Sequence, residues 1–232
     1  MKLLLTSAGI KNPSIHDALV DLLGKPIAEC SAICIPTGMY GHPWVGPGEK
    51  VWQFIAGQEP RCPMCELGWK SLGVLELTAL PSLDAERWVP LVEGTDVLLA
   101  AGGDALYLSH WMRESGLADL LPSLDGTVWV GLSGGSMALT PRIGEDFVGW
   151  QPPTGDDSAL GIVDFLIFPH VDHPDLTENT MAAAERWASG LGVPAYAIDD
   201  DTAIKVVDGA VEVISQGHWK LFAPSPVVNE SG

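Results

Sequence analysis

A serine flanked by glycines follows an apolar run near the middle of the chain. The run Thr127–Leu132 leads into Ser133-Gly134-Gly135, and Gly131 completes the spacing Gly-x-Ser-x-Gly. Between a strand and a helix, this spacing is typical of a nucleophile elbow, in which a strained turn lifts the hydroxyl clear of a sheet. The sequence therefore predicts Ser133 as a nucleophile. The alternative is a glycine-rich turn without a catalytic role.

A second glycine turn is expected to face this serine. The apolar run Val97–Ala101 ends in Gly102-Gly103-Asp104 and leads into a predicted helix. Ligands of open parallel sheets bind beyond the carboxyl ends of the strands, so both turns should meet at one crevice. The amides of Gly103 or Gly102, together with that of Gly134, would then form an oxyanion hole. The alternative is a tight or phosphate-binding turn, although the residues lack the Gly-x-Gly-x-x-Gly pattern of a nucleotide site.

A histidine that follows a third apolar run is the predicted general base. His170 comes two residues after the run Phe165–Phe168, so its side chain can reach the strand ends, whereas His173 precedes Pro174 and is expected nearer the surface. A histidine at the end of a core strand has the pKa range and reach for general-base chemistry. His170 is therefore the predicted base for Ser133.

A carboxylate should orient this imidazole and offset its charge. Glu145 and Asp146 lie after the serine helix, and Asp172 lies two residues beyond His170. These three residues stay open as candidates. The chain order serine, acid, histidine favours Asp146 or Glu145.

The surrounding pattern predicts the fold that would position these residues. Apolar runs of strand length alternate with helix-like segments, and several runs have no polar face, which is typical of strands buried in a parallel sheet. The sequence predicts one α/β domain over residues 1–232. It should have three layers and a doubly wound, mostly parallel sheet of flavodoxin-like type, with an antiparallel end near Asp208-Gly209. The predicted helices include Leu83–Leu91, and the predicted strands include Ile162–Phe168.

Composition and charge exclude several classes of function. Apolar residues make up 47% of the 232 residues and charged residues 18%, which is typical of a globular chain. The formal net charge of −18 would repel nucleic acids and anionic membrane surfaces. The chain has no apolar run long enough for a membrane span and no signal-peptide pattern at its start, so we expect a cytoplasmic protein. Whether it forms a homodimer stays open.

The four cysteines allow a zinc site but do not favour one. Cys62 and Cys65 have the spacing of half a zinc site, and Cys30 and Cys34 are four residues apart around a predicted strand. Buried or incidental thiols are the favoured interpretation. We therefore predict no metal and no organic cofactor.

With these residues in place, the chain resembles the dipeptidase E (aspartyl dipeptidase) family of serine peptidases. That family shares its fold with class I glutamine amidotransferases. The resemblance extends over most of the chain and rests on five short segments: Gly102-Gly103-Asp104, Gly131–Ser136, Pro141, Leu160–Phe165 and Phe168-Pro169-His170. It implies Ser133 as nucleophile, His170 as base and Asp146 as the third member, with Glu145 beside it.

The chain also departs from the family pattern. The elbow has Ser133-Gly134-Gly135 where the family usually has Ser-Ala-Gly, and Asp104 stands where the family usually has Asn. Asp104 places a negative charge near the site, and no arginine clamp for an acidic side chain is evident. The predicted substrate-binding residues are Asp104, His173 and Arg142.

The predicted function is hydrolysis of short peptides through an acyl-enzyme on Ser133. Two alternatives stay open. An α/β-hydrolase esterase would use the same elbow with a late histidine, for which His218 is the candidate. A non-catalytic binding domain would keep the amidotransferase-like fold without the chemistry.

Overall fold

The computed structural model describes residues 1–224, which form ten strands and eight α-helices. The strands are β1 (Lys2–Thr6), β2 (Ser31–Ile35), β3 (Ser71–Val74), β4 (Val97–Ala100), β5 (Val128–Leu132), β6 (Leu166–Phe168), β7 (Ala195–Ile198), β8 (Thr202–Val207), β9 (Ala210–Ser215) and β10 (Trp219–Phe222). The helices are α1 (Pro13–Leu23), α2 (Thr37–Gly41), α3 (Glu49–Ile55), α4 (Val89–Glu93), α5 (Ala105–Glu114), α6 (Leu117–Leu120), α7 (Gly134–Met137) and α8 (Met181–Ser189).

The larger sheet confirms the predicted α/β class. Its seven strands run in the order β3-β2-β4-β5-β1-β8-β9. The first five strands are parallel to one another. Strand β8 is antiparallel to β1, and β9 is antiparallel to β8, to which it is joined by a hairpin at Asp208-Gly209. The predicted antiparallel end near the C-terminus is thus confirmed.

The central strands are apolar throughout because helices cover both faces of the sheet. In β1, Leu3 and Leu5 belong to one apolar core while Leu4 belongs to the core on the other face. Strand β4 alternates in the same way. Helices α1 and α3 pack on the Leu4 face, and α4 and α5 pack on the opposite face. The predicted layers follow from this alternation.

Three strand ends converge where the chemistry was predicted. Thr6 in β1 pairs with Leu132 in β5, and Ala100 in β4 pairs with Gly131. The residues that follow β1, β4 and β5 therefore leave the sheet side by side. These are Ser7, the Gly102-Gly103 turn and Ser133.

A second, three-stranded sheet in the order β10-β7-β6 carries the histidine segment. Strand β6 is shorter than the predicted Ile162–Phe168, because the Ile162 and Val163 amides donate to the carbonyl of Leu139 rather than to a strand. Ile167 packs into the main core, whereas Leu166 and Phe168 pack against α8. Strand β6 therefore belongs to this smaller sheet and not to the seven-stranded one.

One predicted helix is shorter than the sequence indicates, and the helix after Ser133 is also short. Leu83–Leu91 is instead a 3₁₀ turn at Ala85–Arg87 followed by α4, which restarts with Pro90 in its first turn. Proline favours a helix start because it has no backbone N–H to donate. The helix after Ser133 has only four residues, and Pro141 follows shortly after it.

Candidate active site

Ser133 lies on a strained turn directly after β5. Its backbone angles are φ 47° and ψ −110°, a conformation that residues other than glycine rarely adopt. The Ser133 N–H donates to the Thr6 carbonyl at 2.9 Å, which ties the turn to the neighbouring strand β1. The Ser133 carbonyl accepts from the N–H groups of Ser136 and Met137. Strain held by the surrounding backbone in this way is typical of a nucleophile elbow.

The two glycine turns lie in direct contact. A Cβ atom at Gly134 would overlap the carbonyl oxygen of Gly103, and a Cβ at Gly103 would overlap that of Gly38. Gly103 also has φ 109°, which disfavours any other residue. Among residues 1–224, neither the Gly103 nor the Gly134 amide donates a hydrogen bond. Both N–H groups thus stay available beside Ser133, as an oxyanion hole requires.

His170 follows β6 and is held by a carboxylate and a hydroxyl. Its Nδ1 atom lies 2.6 Å from Asp200 Oδ1, and its backbone N–H donates to Ser7 Oγ at 2.7 Å. Ser7 Oγ donates in turn to Asp200 Oδ1 at 3.0 Å. His170 has φ 56°, so these bonds hold a second strained residue. Ser7, His170 and Asp200 therefore form one hydrogen-bonded group.

The acceptor character of Asp200 determines where the imidazole proton lies. Burial opposes ionisation of Asp200 and would raise its pKa. The hydrogen bond and charge of His170 outweigh this effect, together with the Ser7 hydrogen bond and the charge of His173. The pKa of Asp200 therefore lies below its usual value. An ionised carboxylate only accepts, so the proton of His170 belongs on Nδ1. The Nε2 atom is then left with its lone pair, as a general base requires.

The carboxylates predicted for this role lie elsewhere. Asp172 accepts from His218 Nε2 at 2.9 Å and from the Met181 N–H. Asp146 is exposed and lines the cleft, and Glu145 is exposed beside it on a 3₁₀ turn. Among residues 1–224, the carboxylate bonded to the His170 ring is Asp200, which follows the histidine in the chain rather than lying between Ser133 and His170.

Sequence reasoning missed Asp200 and Ser7, although the chain carries a signal for both. Asp200 lies in the run Asp199-Asp200-Asp201 immediately after β7, and Ser7 comes immediately after β1. Polar residues at the carboxyl ends of strands are expected to meet at a ligand site. Applying that rule to every predicted strand would have added both residues to the candidates.

Ser133 and His170 line one cleft of about 600 Å³, within the usual range for small-molecule sites. The predicted residues Gly102, Gly103, Asp104 and Asp146 line it as well. Apolar side chains contribute much of the remaining wall. They include Pro43, Trp44, Val45, Leu132, Met137, Phe147, Val148 and Leu176.

The three residues predicted to bind substrate differ in their surroundings. Asp104 is buried and caps α5, and its second oxygen accepts the Trp150 N–H, so both oxygens bond to backbone. Burial raises the pKa of this carboxyl. His173 Nε2 lies 3.6 Å from Asp200 Oδ2, beside the histidine group. Arg142 pairs with Asp157 at 3.0 Å and is not part of the cleft wall.

The four cysteines are free thiols, and Cys34 lies within hydrogen-bond distance of Cys65. Cys30 precedes β2 and bonds to the Pro26 carbonyl, Cys34 and Cys65 are buried in the core beneath α1, and Cys62 lines the cleft. Burial raises the pKa of Cys62 to about 11. Within residues 1–224, no three His, Cys, Asp or Glu side chains are grouped so as to hold a metal ion.

A membrane-spanning segment is also not found in the described part of the chain. None of its helices has the length and apolar character needed to cross a bilayer.

Comparisons with known proteins cover nearly the whole chain. The model of peptidase family S51 matches residues 3–214. A crystal structure of a protein provisionally named a peptidase E, from Listeria monocytogenes EGD-e, superposes with a TM-score of 0.66 at 17% identity and covers 93% of this chain and 98% of its own. A peptidase from an acI-B1 actinobacterium superposes with a TM-score of 0.58 at 18% identity, covering 97% and 95%.

At these identities, the two structures show that the fold is shared, and the family model adds the chemical class. A search of curated proteins found no match. The family model matches nearly the whole length and includes the elbow, the glycine turn and the histidine segment. The chain belongs to peptidase family S51, the dipeptidase E family of serine peptidases.

Proposed function

We propose that this serine peptidase cleaves short peptides with Ser133 as nucleophile, His170 as general base and Asp200 as the positioning carboxylate. The observation that carries the proposal is the 2.6 Å contact between His170 Nδ1 and Asp200, because it leaves Nε2 free on a ring that shares the cleft with Ser133. The amides of Gly103 and Gly134 would bind the oxyanion.

The reaction then follows in two halves. His170 Nε2 takes the hydroxyl proton as Ser133 Oγ attacks the scissile carbonyl carbon, and the Gly103 and Gly134 amides stabilise the oxyanion. His170 returns the proton to the leaving nitrogen as the C–N bond breaks. Water attacks the acyl ester in the second half, gives a proton to Nε2, and Ser133 Oγ leaves with that proton.

Asp200 would act through His170 rather than on the substrate. Its oxygen fixes the Nδ1–H tautomer and stabilises the imidazolium that forms when Nε2 is protonated. Asp200 also faces His173 at 3.6 Å, so two imidazoles share one carboxylate. Asp146 stays a candidate for contact with substrate at the cleft wall.

The test is turnover of a dipeptide panel by the parent and by Ser133→Ala, together with labelling by a fluorophosphonate probe. We expect the parent to hydrolyse dipeptides and to be labelled at Ser133. The variant should lose both properties, with a decrease in kcat/KM of about 1,000-fold or more. A Ser133→Ala variant that retains full turnover would refute the assignment.

Histidine variants separate the peptidase site from the esterase alternative. His170→Ala should abolish turnover, whereas His218→Ala should retain it. His218 bonds to Asp172 and Asp199 and is not part of the cleft wall. The opposite pattern would transfer the base role to His218.

A further inference from the structure

The active-site cleft extends into a second, mostly apolar cavity, which we call the side pocket. It has a volume of about 280 Å³, and its walls include Met39, Val45, Phe54, Cys62 and Leu132. Val45, Cys62 and Leu132 line the cleft as well, as do the glycines of the Gly102-Gly103 turn. The side pocket is therefore a continuation of the site that holds Ser133.

The opening of the side pocket lies next to the reacting groups. Leu132 precedes Ser133 in the chain, and a Cβ atom at Gly102 would lie 3.4 Å from the Ser133 Cβ. Gly103, whose amide is the proposed oxyanion donor, forms part of the pocket wall. A peptide bound with its carbonyl at this amide would place a neighbouring side chain in the pocket.

The walls of the side pocket favour an apolar group. Phe54 and Leu132 are buried in the core, and Met39 and Val45 are half-buried. Because burial raises its pKa to about 11, the Cys62 thiol is uncharged at neutral pH. Burying an apolar side chain against such walls is favourable, whereas a charged group would lose its hydration without replacement.

Two cations, Lys50 and Arg61, contribute to the wall of the side pocket, and both are exposed and have partners. Lys50 Nζ donates to the Trp44 carbonyl at 3.2 Å, and Arg61 lies 3.7 Å from Asp175. Glu59 adds a carboxylate to the pocket wall, and Asp104 and Asp146 add two more to the cleft. Within the described residues, no buried lysine or arginine is available to neutralise an acidic substrate side chain there.

We infer that the side pocket binds an apolar side chain next to the scissile bond, so that the enzyme prefers dipeptides with leucine, methionine or phenylalanine over those with aspartate or glutamate. This inference rests on the proposed function, since it takes Ser133 and the Gly103 amide as the reacting groups. It adds the class of substrate to that function.

The first experiment measures kcat/KM for dipeptides that share one residue and vary the other among Leu, Met, Phe, Ala and Asp, at either position. We expect the larger apolar residues to exceed Ala by about 10- to 200-fold at one of the two positions. Aspartate should be the poorest substrate there. Aspartyl dipeptides that are cleaved best at both positions would overturn the inference.

The second experiment changes the pocket wall at Val45, which lies in a turn between α2 and α3. Val45→Arg introduces a cation and should reduce kcat/KM for leucyl dipeptides by at least about 10-fold while increasing it for aspartyl dipeptides. Val45→Met is the matched control for size without charge and should keep the apolar preference. Val211→Arg, at a partly exposed position of edge strand β9, controls for added charge and should leave the preference unchanged.

Binding to the inactive Ser133→Ala variant separates this inference from the proposed function. Calorimetry with leucyl and aspartyl dipeptides should give tighter binding for the leucyl peptide, and Val45→Arg in the same background should reverse the order. If binding follows this pattern while the parent hydrolyses no peptide, the proposed function fails and the pocket assignment stands. If the parent shows Ser133-dependent turnover but binding has no apolar preference, only the pocket assignment fails.

Discussion

Asp200 connects the polar groups of the candidate site. It accepts a hydrogen bond from His170 Nδ1 and one from Ser7, and it lies near His173. The sequence predicted Ser133 and His170 from motifs that each lie within a few residues of a strand end. Asp200 is 67 residues beyond Ser133, and only the packing of β6 beside β7 brings it to the imidazole. A short motif cannot encode a contact of that kind.

Two asparagine substitutions distinguish the carboxylates. Asp200→Asn should reduce kcat/KM by about 100- to 10,000-fold, because an amide no longer fixes the Nδ1–H tautomer or stabilises the imidazolium. Asp146→Asn is the matched control and should cost less than about 10-fold, since Asp146 is exposed at the cleft wall. Steady-state kinetics on one dipeptide would measure both losses. A larger loss of kcat/KM in Asp146→Asn than in Asp200→Asn would favour Asp146 as the carboxylate that positions His170.

Ser7 is expected to be a positioning residue. Ser7→Ala removes both the acceptor of the His170 N–H and a donor to Asp200. We expect kcat to decrease by about 10- to 100-fold with little change in KM, because small displacements of a catalytic group are costly and Ser7 is not part of the cleft wall.

The control for Ser7→Ala is Ser109→Ala, which removes a buried hydroxyl that bonds within α5. It should reduce stability by a similar amount, about 1 kcal/mol, and leave kcat unchanged. Equal kcat values for the two variants would indicate that Ser7 has only a structural role.

At the scale of elements, sequence patterns predicted strands better than they predicted the sheet to which each strand belongs. The runs in β1, β4 and β5 have no polar face, and that property alone indicates burial on both sides. Strand β6 has the same character but belongs to the smaller sheet, because it is buried between the main core and α8. Strand β10 was not predicted because it has only four residues, of which Trp219 and Leu221 are partly exposed.

Because the two glycine turns are in contact, we expect one added methyl group at Gly103 to reduce both stability and turnover. Gly103→Ala must relieve an overlap with the Gly38 carbonyl and adopt φ near 109°, so we expect a loss of about 1–3 kcal/mol in the free energy of unfolding. Displacement of the oxyanion donor should also reduce kcat by about 100-fold. Chemical denaturation and kinetics would measure the two effects.

Gly126→Ala is the matched control for this element. A Cβ atom at Gly126 would meet nothing within 4 Å, and the residue lies outside the left-handed region. The substitution should change stability by less than about 1 kcal/mol and leave turnover intact. A Gly103→Ala variant as stable and active as Gly126→Ala would contradict the packing described for the turn.

At the scale of the whole molecule, ionisation of one carboxylate links the active site to stability. Because the pKa of Asp200 in the folded state is below the reference value of 3.8, the unfolded chain binds more protons in acid. The stabilisation that this group contributes is therefore complete above about pH 4 and is lost as the pH falls through the folded pKa. Asp200→Asn removes the contribution.

The measurement is the free energy of unfolding of the parent and of Asp200→Asn between pH 2 and pH 7. The difference between the two proteins should shrink as the pH falls below about 4. Asp146→Asn is the control, because it keeps the Asp200 carboxylate. Parallel pH curves for the parent and Asp200→Asn would show that this carboxylate is not coupled to folding.

The alternation of apolar runs with helix-like segments predicted the α/β class, composition predicted a globular, acidic chain, and motifs predicted the family. The division into two sheets could not be predicted, because the strand that precedes His170 is as apolar as the strands of the main sheet. What separates them is how helix α8 covers one face of β6. That contact joins segments far apart in the chain.

The proposed nucleophile Ser133 and the proposed base His170 follow strands of different sheets, and we expect this division to affect how the enzyme inactivates. Ser133 is anchored to β1 and β5, whereas His170 depends on β6, β7 and the Ser7 bond. If the three-stranded sheet moved slightly away from the seven-stranded sheet, His170 could no longer accept the proton of Ser133, although most of the secondary structure would remain. We therefore expect heat or mild urea to abolish turnover before the circular dichroism signal shows a loss of secondary structure.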